Sequence, residues 1–507
     1  MTWPAGVFSR FLRMLIVVVW AILMGRLLVV EVFPTRLALR PVVHRNRWMR
    51  NPALTSRWMR ILLRGEPIGY SHTETDLQTR DGVDEFVLRN RTVLVLSILQ
   101  QTQRLIATAE VRLNADQRLQ SFAIALDSDP YRLRAEGRRI RQRQFEVKLS
   151  TAAFQRTLRV EIPDEAMLHA PLAEAPVAEW TPGRTVRLPV FDPFTLTTED
   201  MTIQALRREV IEVEGRTQDA WLLRASYRGM DILSWVDREG TVLRQETPFG
   251  WTLELASART ALQSIRQAPN TDLDILAAAS VPVIGGSPPD RSAARLVLRL
   301  IGPPALDRIT FAFPRQTILR RSPGEVVLRI EAASERAGAS HPLPAESLAR
   351  ARETTVFVPW DHPEIAELAA ALAPPHADPL HVVEAIYEWV HGNLRKQPAI
   401  SIPSALDVLQ ARAGDCNEHT YLFVALARAR GLAARILVGL VPHNGAFYYH
   451  AWPAVHVGDW IELDPTLGLR RVGAAHIALA EGELEGQLAL AALIGRLQVE
   501  VLDDERD

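Results

Sequence analysis

Cys416 is the only cysteine in the 507-residue chain, and it stands in Gly414-Asp415-Cys416-Asn417-Glu418-His419, at the head of an apolar stretch with helical spacing. His450-Ala451-Trp452 follows, and then Trp460-Ile461-Glu462-Leu463-Asp464-Pro465-Thr466. A thiol at a helix start, then a histidine and a carboxylate on strand-like segments, is the order of parts that nucleophilic cysteine chemistry uses. Free N–H groups and the helix dipole favour thiolate over thiol, and the same donors can hold an oxyanion after attack. An imidazole then serves as base while a carboxylate fixes its tautomer.

A metal reading of the same residues is weaker. His419, His443, His456 and His476 lie in the same region, but Cys416-x₂-His419 followed by His443 or His450 lacks the tight paired spacing of zinc motifs. No metal and no other cofactor is expected. A single cysteine also excludes an intrachain disulfide and any Cys₂ or Cys₄ zinc site.

These residues need elements to hold them. Asp415 is placed to cap a helix beginning at Cys416 or Asn417, Leu422, Ala425, Leu426 and Ala429 mark its buried stripe, and Gly431 stops it. Ala434 to Val441 reads as a strand, Asn444-Gly445 as a hairpin turn, Phe447 to Val457 as the returning strand and Trp460 to Asp464 as the next. The second turn carries a difficulty. A strict two-residue turn at Gly458-Asp459 pairs His450 with Leu467 and puts Asp464 on the opposite face. A longer loop or a bulge is therefore required, and Pro453 makes a local perturbation reasonable.

The block from about 380 to 468 resembles the bacterial transglutaminase-like superfamily, relatives of papain-like cysteine proteases. The resemblance is carried by GDCNEHTYLFVALARARGLAARILVG, YHAWPAVHV and WIELDPT, and Ala475-His476-Ile477 resembles a short segment that often follows the aspartate. It implies that Cys416 is the nucleophile, His450 the general base and Asp464 the orienting acid, acting on a protein or peptide substrate. It also favours hydrolysis over cross-linking. Tyr449 and Trp452, flanking this histidine region, are candidates for the wall of an acyl-substrate groove, with a core role as the alternative. A non-catalytic binding or scaffold protein reusing the fold is the rival class, and the intact Cys-His-Asp set argues against it.

Hydrophobic content of 48% and charged content of 23% are those of a chain that mostly folds, and a net charge of −1 gives no reason to expect a nucleic-acid partner. The expected fold class is α+β, in several units. Residues 1–34 read as a transmembrane anchor: an apolar run from Phe11 to Phe33 is long enough to span a bilayer. Residues 35–65 read as a basic juxtamembrane linker with the echo Arg47-Trp48-Met49-Arg50 and Arg57-Trp58-Met59-Arg60. Residues 66–268 read as a β-rich antiparallel region with a break near 168–193, 269–345 as a linker plus a short β segment, and 346–507 as the catalytic domain. The expected location is the inner membrane, single-pass. The resemblance puts the bulk of the chain in the periplasm, whereas the arginines after the anchor favour the cytoplasm.

Overall fold

In the computed structural model, residues 55–505 are described apart from 81, 99–100, 129–130, 169–179, 249, 269–273, 334–342 and 398–401. Alternating apolar and polar residues build most of this region into strands. A 15-stranded sheet takes up residues 55–256. Its two halves are meanders joined at the centre, where Thr55–Leu63 pairs antiparallel with Trp251–Ala256. One meander runs outward from the centre to Gln155–Glu161; the other runs from Met167–Leu168 back inward. Those two edge strands are separated only by residues 162–166. A stretch of that length spans at most about 18 Å, so the sheet must curl until its edges approach each other, as strand twist favours. Phe122 and Phe191, from opposite meanders, accordingly meet with ring centroids 6.0 Å apart.

Residues 55–63, read from sequence as part of a linker, are a central strand. Met59, Ile61 and Leu63 are buried on one side. Trp58 stacks on His72 at 3.9 Å, and Arg60 pairs with the buried carboxylate of Glu254 at 2.5 Å. Arginine and tryptophan here serve a sheet.

A five-stranded sheet follows, in the order Val283–Ile284, Gln498–Glu505, Arg295–Ile301, Glu325–Glu331, Gln316–Ser322. The C-terminal strand of the chain lies inside it. The last unit combines helices Pro363–Leu372, Pro379–Asn393, Ala405–Ala411 and Cys416–Ala429 with a four-stranded sheet ordered Trp460–Glu462, Ala446–His456, Ala433–His443, Ile477–Glu481. One connected apolar core runs from the 15-stranded sheet through the five-stranded sheet to the C-terminal unit, from Phe122 and Phe145 through Leu296 and Leu328 to Leu422 and Leu426.

Two expectations are corrected here. The described residues are mostly β, with 51% in strands and 20% in helices, rather than α+β. The helix–sheet mixture read around the cysteine is local to the C-terminal unit and is outweighed by the 15-stranded sheet. The single-pass inner-membrane placement is also overturned: among the described residues, no helix is long and apolar enough to cross a membrane. The segment from Phe11 to Phe33 lies outside the described residues.

Candidate active site

The central helix, Cys416–Ala429, is buried from Glu418 to Arg428. Its start is fixed by a capping box. Asp415 accepts the Asn417 N–H at 3.2 Å, and Glu418 folds back to accept the Asp415 N–H at 2.8 Å. Gly414 is required in front of it: φ is +155°, and a Cβ would lie 2.2 Å from Glu418 Cγ. Cys416 sits half-buried on the first turn. The helix is tied to the neighbouring strand through Thr420, whose hydroxyl donates to the carbonyl of Ala451 at 3.1 Å.

Ala433–His443 and Ala446–His456 form the hairpin the sequence predicts, with Asn444 and Gly445 both at positive φ. The next turn differs from the two-residue form. Ala446–His456 ends at His456 and pairs with Trp460–Glu462 in the register Ala454↔Glu462 and His456↔Trp460. Three residues, Val457 to Asp459, make the turn, closed by the Val457 N–H on the Asp459 carbonyl at 3.0 Å. One extra residue shifts the parity of the returning chain. Glu462 and Asp464 thereby come to the same face as His450 and Trp452.

The consequence is a tightly bonded cluster. His450 Nε2 lies 2.7 Å from Asp464 Oδ2, and Cys416 is close enough to act on the charge of the imidazole. With Nε2 engaged by the carboxylate, Nδ1 is the nitrogen left to face sulfur. Asp464 Oδ1 accepts the N–H groups of Thr466 and Leu467, each at 2.9 Å, so the aspartate also makes the turn into Pro465. His476 adds a further donor, its Nε2 3.1 Å from Asp464 Oδ2.

Burial pushes the His450 imidazole toward neutrality, but Asp464 and Cys416 more than offset it and raise its pKa to about 10. For Asp464, burial is likewise outweighed, by His450 and His476, and the carboxyl is held well below the usual carboxylate range. His476 goes the other way: desolvation dominates and keeps its ring neutral. The cluster thus favours an ionised carboxylate, an imidazolium at His450 and a neutral donor at His476.

The ligand atoms of His450, Asp464 and His476 lie within 4.8 Å of one another. Both rings point Nε2 at the same carboxylate oxygen, so hydrogen bonding accounts for the convergence. His419 is buried with Nδ1 on the Asp415 carbonyl at 2.7 Å, and His443 lies on the hairpin beside Arg291.

The two groove candidates fall differently. Trp452 is fully buried, with its indole N–H on Glu462 Oε2 at 2.9 Å, so it supports the site from behind rather than walling a groove. Tyr449 is on the opposite face of its strand from His450 and packs against the main core. Glu462, His476 and Arg315 are the site's less visible members. The i, i+2 spacing of Glu462 and Asp464 was the available signal for the first; for Arg315, distant in sequence, there was none.

Residues 366–465 match the model of the transglutaminase-like superfamily, so the mostly-β chain carries a transglutaminase-like domain. No curated protein is found to match the chain. Solved structures similar to it include a candidate cysteine protease from Cytophaga hutchinsonii, 17% identical, covering 43% of this chain and 89% of that one at a TM-score of 0.29. Another is a candidate protease from Parabacteroides distasonis, 13% identical, covering 69% and 68% at a TM-score of 0.19.

Proposed function

We propose that the chain is a transglutaminase-like cysteine enzyme that opens amide or peptide carbonyls through a thioester on Cys416, with His450 as base and acid and Asp464 as its orienting partner. The observation that carries this reading is an imidazole bonded to a buried carboxylate and under the electrostatic influence of a thiol at a capped helix start.

In the first half-reaction the sulfur of Cys416, whose proton is already held by the His450 imidazolium, attacks the carbonyl carbon. The oxyanion is stabilised by the positive end of the helix dipole at Cys416. His450 returns the proton to the departing amine as the C–N bond breaks. A water then gives its proton to His450, attacks the thioester and releases the acid as the C–S bond breaks. An incoming amine in place of water would give cross-linking. The family resemblance favours hydrolysis.

Because Cys416 is the sole thiol, iodoacetamide reports on it alone. The native protein is expected to alkylate at pH 6 at least 100-fold faster than the His450→Ala variant, the order of a general-base contribution. Asp464→Asn is expected to fall between them. Equal rates for native and His450→Ala protein, or a thiol silent until denaturation, would sink the enzymatic reading.

A further inference from the structure

The five-stranded sheet reaches into the site from residues that precede the family-matched stretch. Arg315 stands just before its edge strand Gln316–Ser322 and is buried. Its Nη2 donates to Glu462 Oε2 at 2.7 Å and to the carbonyl of His476 at 3.1 Å. Its Nη1 donates to the carbonyls of Glu331 and Gly473 at 2.7 and 3.3 Å. Gln316 pairs with Ala478 in both directions, donating from Nε2 at 3.0 Å and accepting the N–H at 2.7 Å. The Ala333 N–H on the Val472 carbonyl and the Ala474 N–H on the Ala293 carbonyl extend the same seam.

The other side of Glu462 faces the catalytic candidates. The oxygen that takes the Arg315 donor also accepts Trp452 Nε1–H at 2.9 Å. The Trp452 ring lies 18° from parallel to the His450 ring, centroids 6.2 Å apart, and edge-on to His476 at 5.2 Å. One planar guanidinium thus holds a carboxylate and three carbonyls, a task its fixed fork suits and an ammonium cannot repeat.

We infer that Arg315 is a positioning residue for the His450–Asp464 pair, acting through Glu462 and Trp452 on one side and through the backbone of His476 on the other. This rests on the roles proposed above for Cys416, His450 and Asp464. The imidazole must keep one nitrogen on Asp464 while it presents the other to sulfur, and a ring is held that closely only when its neighbours are themselves fixed. Without Arg315, Glu462 would be a buried carboxylate with Arg435 as a more distant cation, Trp452 would lose its fixed acceptor, and the segment bearing His476 would lose a clamp. His450 itself faces Asp464, His476 and Cys416, and none of these replaces that support.

The test uses the full chain and the alkylation rate of Cys416 from pH 5 to 10. Arg315→Met is expected to lower the rate at pH 6 by about tenfold, the scale on which outer partners of a site act, and to flatten the pH profile toward that of His450→Ala. Arg315→Lys is expected to recover part of the loss, since an ammonium can reach Glu462 but not the three carbonyls as well. All variants should react equally once denatured. If His450→Ala slows alkylation while folded Arg315→Met keeps the wild-type profile, this inference fails and the catalytic reading stands. If His450→Ala changes nothing, the catalytic reading itself fails. Should Arg315→Met not fold, Trp452→Phe decides the matter, because it removes only the N–H to Glu462 and keeps an aromatic ring. A slower reaction supports the inference, and an unchanged profile overturns it.

Discussion

Glu483 lines a cavity of about 660 Å³ between the large sheet and the C-terminal unit. Both its oxygens meet one hydroxyl, that of Thr355, at 2.9 and 2.8 Å. Burial raises its pKa from 4.5 to about 7, against partial opposition from Thr355 and Arg428. An acid with a raised native pKa holds its proton more tightly folded than unfolded, so stability falls as pH rises between about 4.5 and 7, and the loss is complete above that window. Glu483→Gln keeps a carbonyl for Thr355 and removes the ionisation. The variant is expected to be more stable than the native protein at pH 8, by about 3 kcal/mol at most, and no more stable at pH 4. Thermal unfolding at the two pH values checks this, and an equal gain at both would refute it. Residues of this kind are hidden in a sequence, because a glutamate's desolvation depends on what folds over it. Cys416, His450 and Asp464 could be picked out as candidates because each sits in a short motif of suggestive residue types.

The elements around the site divide in the same way. The central helix was readable from Asp415, Glu418 and the apolar stripe, all of which act within a few residues. Its start is also where a small change should be felt most. Gly414→Ala would set a Cβ against the Glu418 side chain at a φ of +155°, straining the capping box that orients the first turn. The expected cost is roughly 1–3 kcal/mol, with slower alkylation of Cys416; urea unfolding and iodoacetamide kinetics would measure both. Wild-type stability would show that the box relaxes freely. The turn after His456 was not readable in the same detail. Gly458-Asp459 signals a turn for either a two- or a three-residue connection, and the choice falls to Val457, whose N–H closes on Asp459. That one residue decides which face Asp464 occupies. Residues 57–60 misled for a similar reason: arginine beside tryptophan suits a membrane surface and a sheet equally, and only the partners His72 and Glu254 distinguish them.

On the scale of the whole molecule, sequence order and spatial order part company. A linear reading places a boundary at 345/346, yet Gln498–Glu505 is an inner strand paired with Arg295–Ile301 on one side and Val283–Ile284 on the other. The large sheet touches the site as well, since the Tyr131 hydroxyl donates to the carbonyl of Ala413, just ahead of the nucleophile segment, at 2.6 Å. A fragment of residues 346–507 would therefore keep Cys416, His450 and Asp464 but lose both strand partners of Gln498–Glu505 and the cation facing Glu462. Its last strand would present unpaired N–H and C=O groups with Val499 uncovered, a template for association. Buried Glu462 would either draw in water or take up a proton. The fragment is expected to unfold without a sharp transition and to alkylate like a denatured thiol, whereas the full chain gives one transition and a His450-dependent rate. A fragment with a cooperative transition and the full-chain pH profile would show that residues 366–465 and their immediate neighbours suffice. It would also remove the five-stranded sheet from any account of how the imidazole is held.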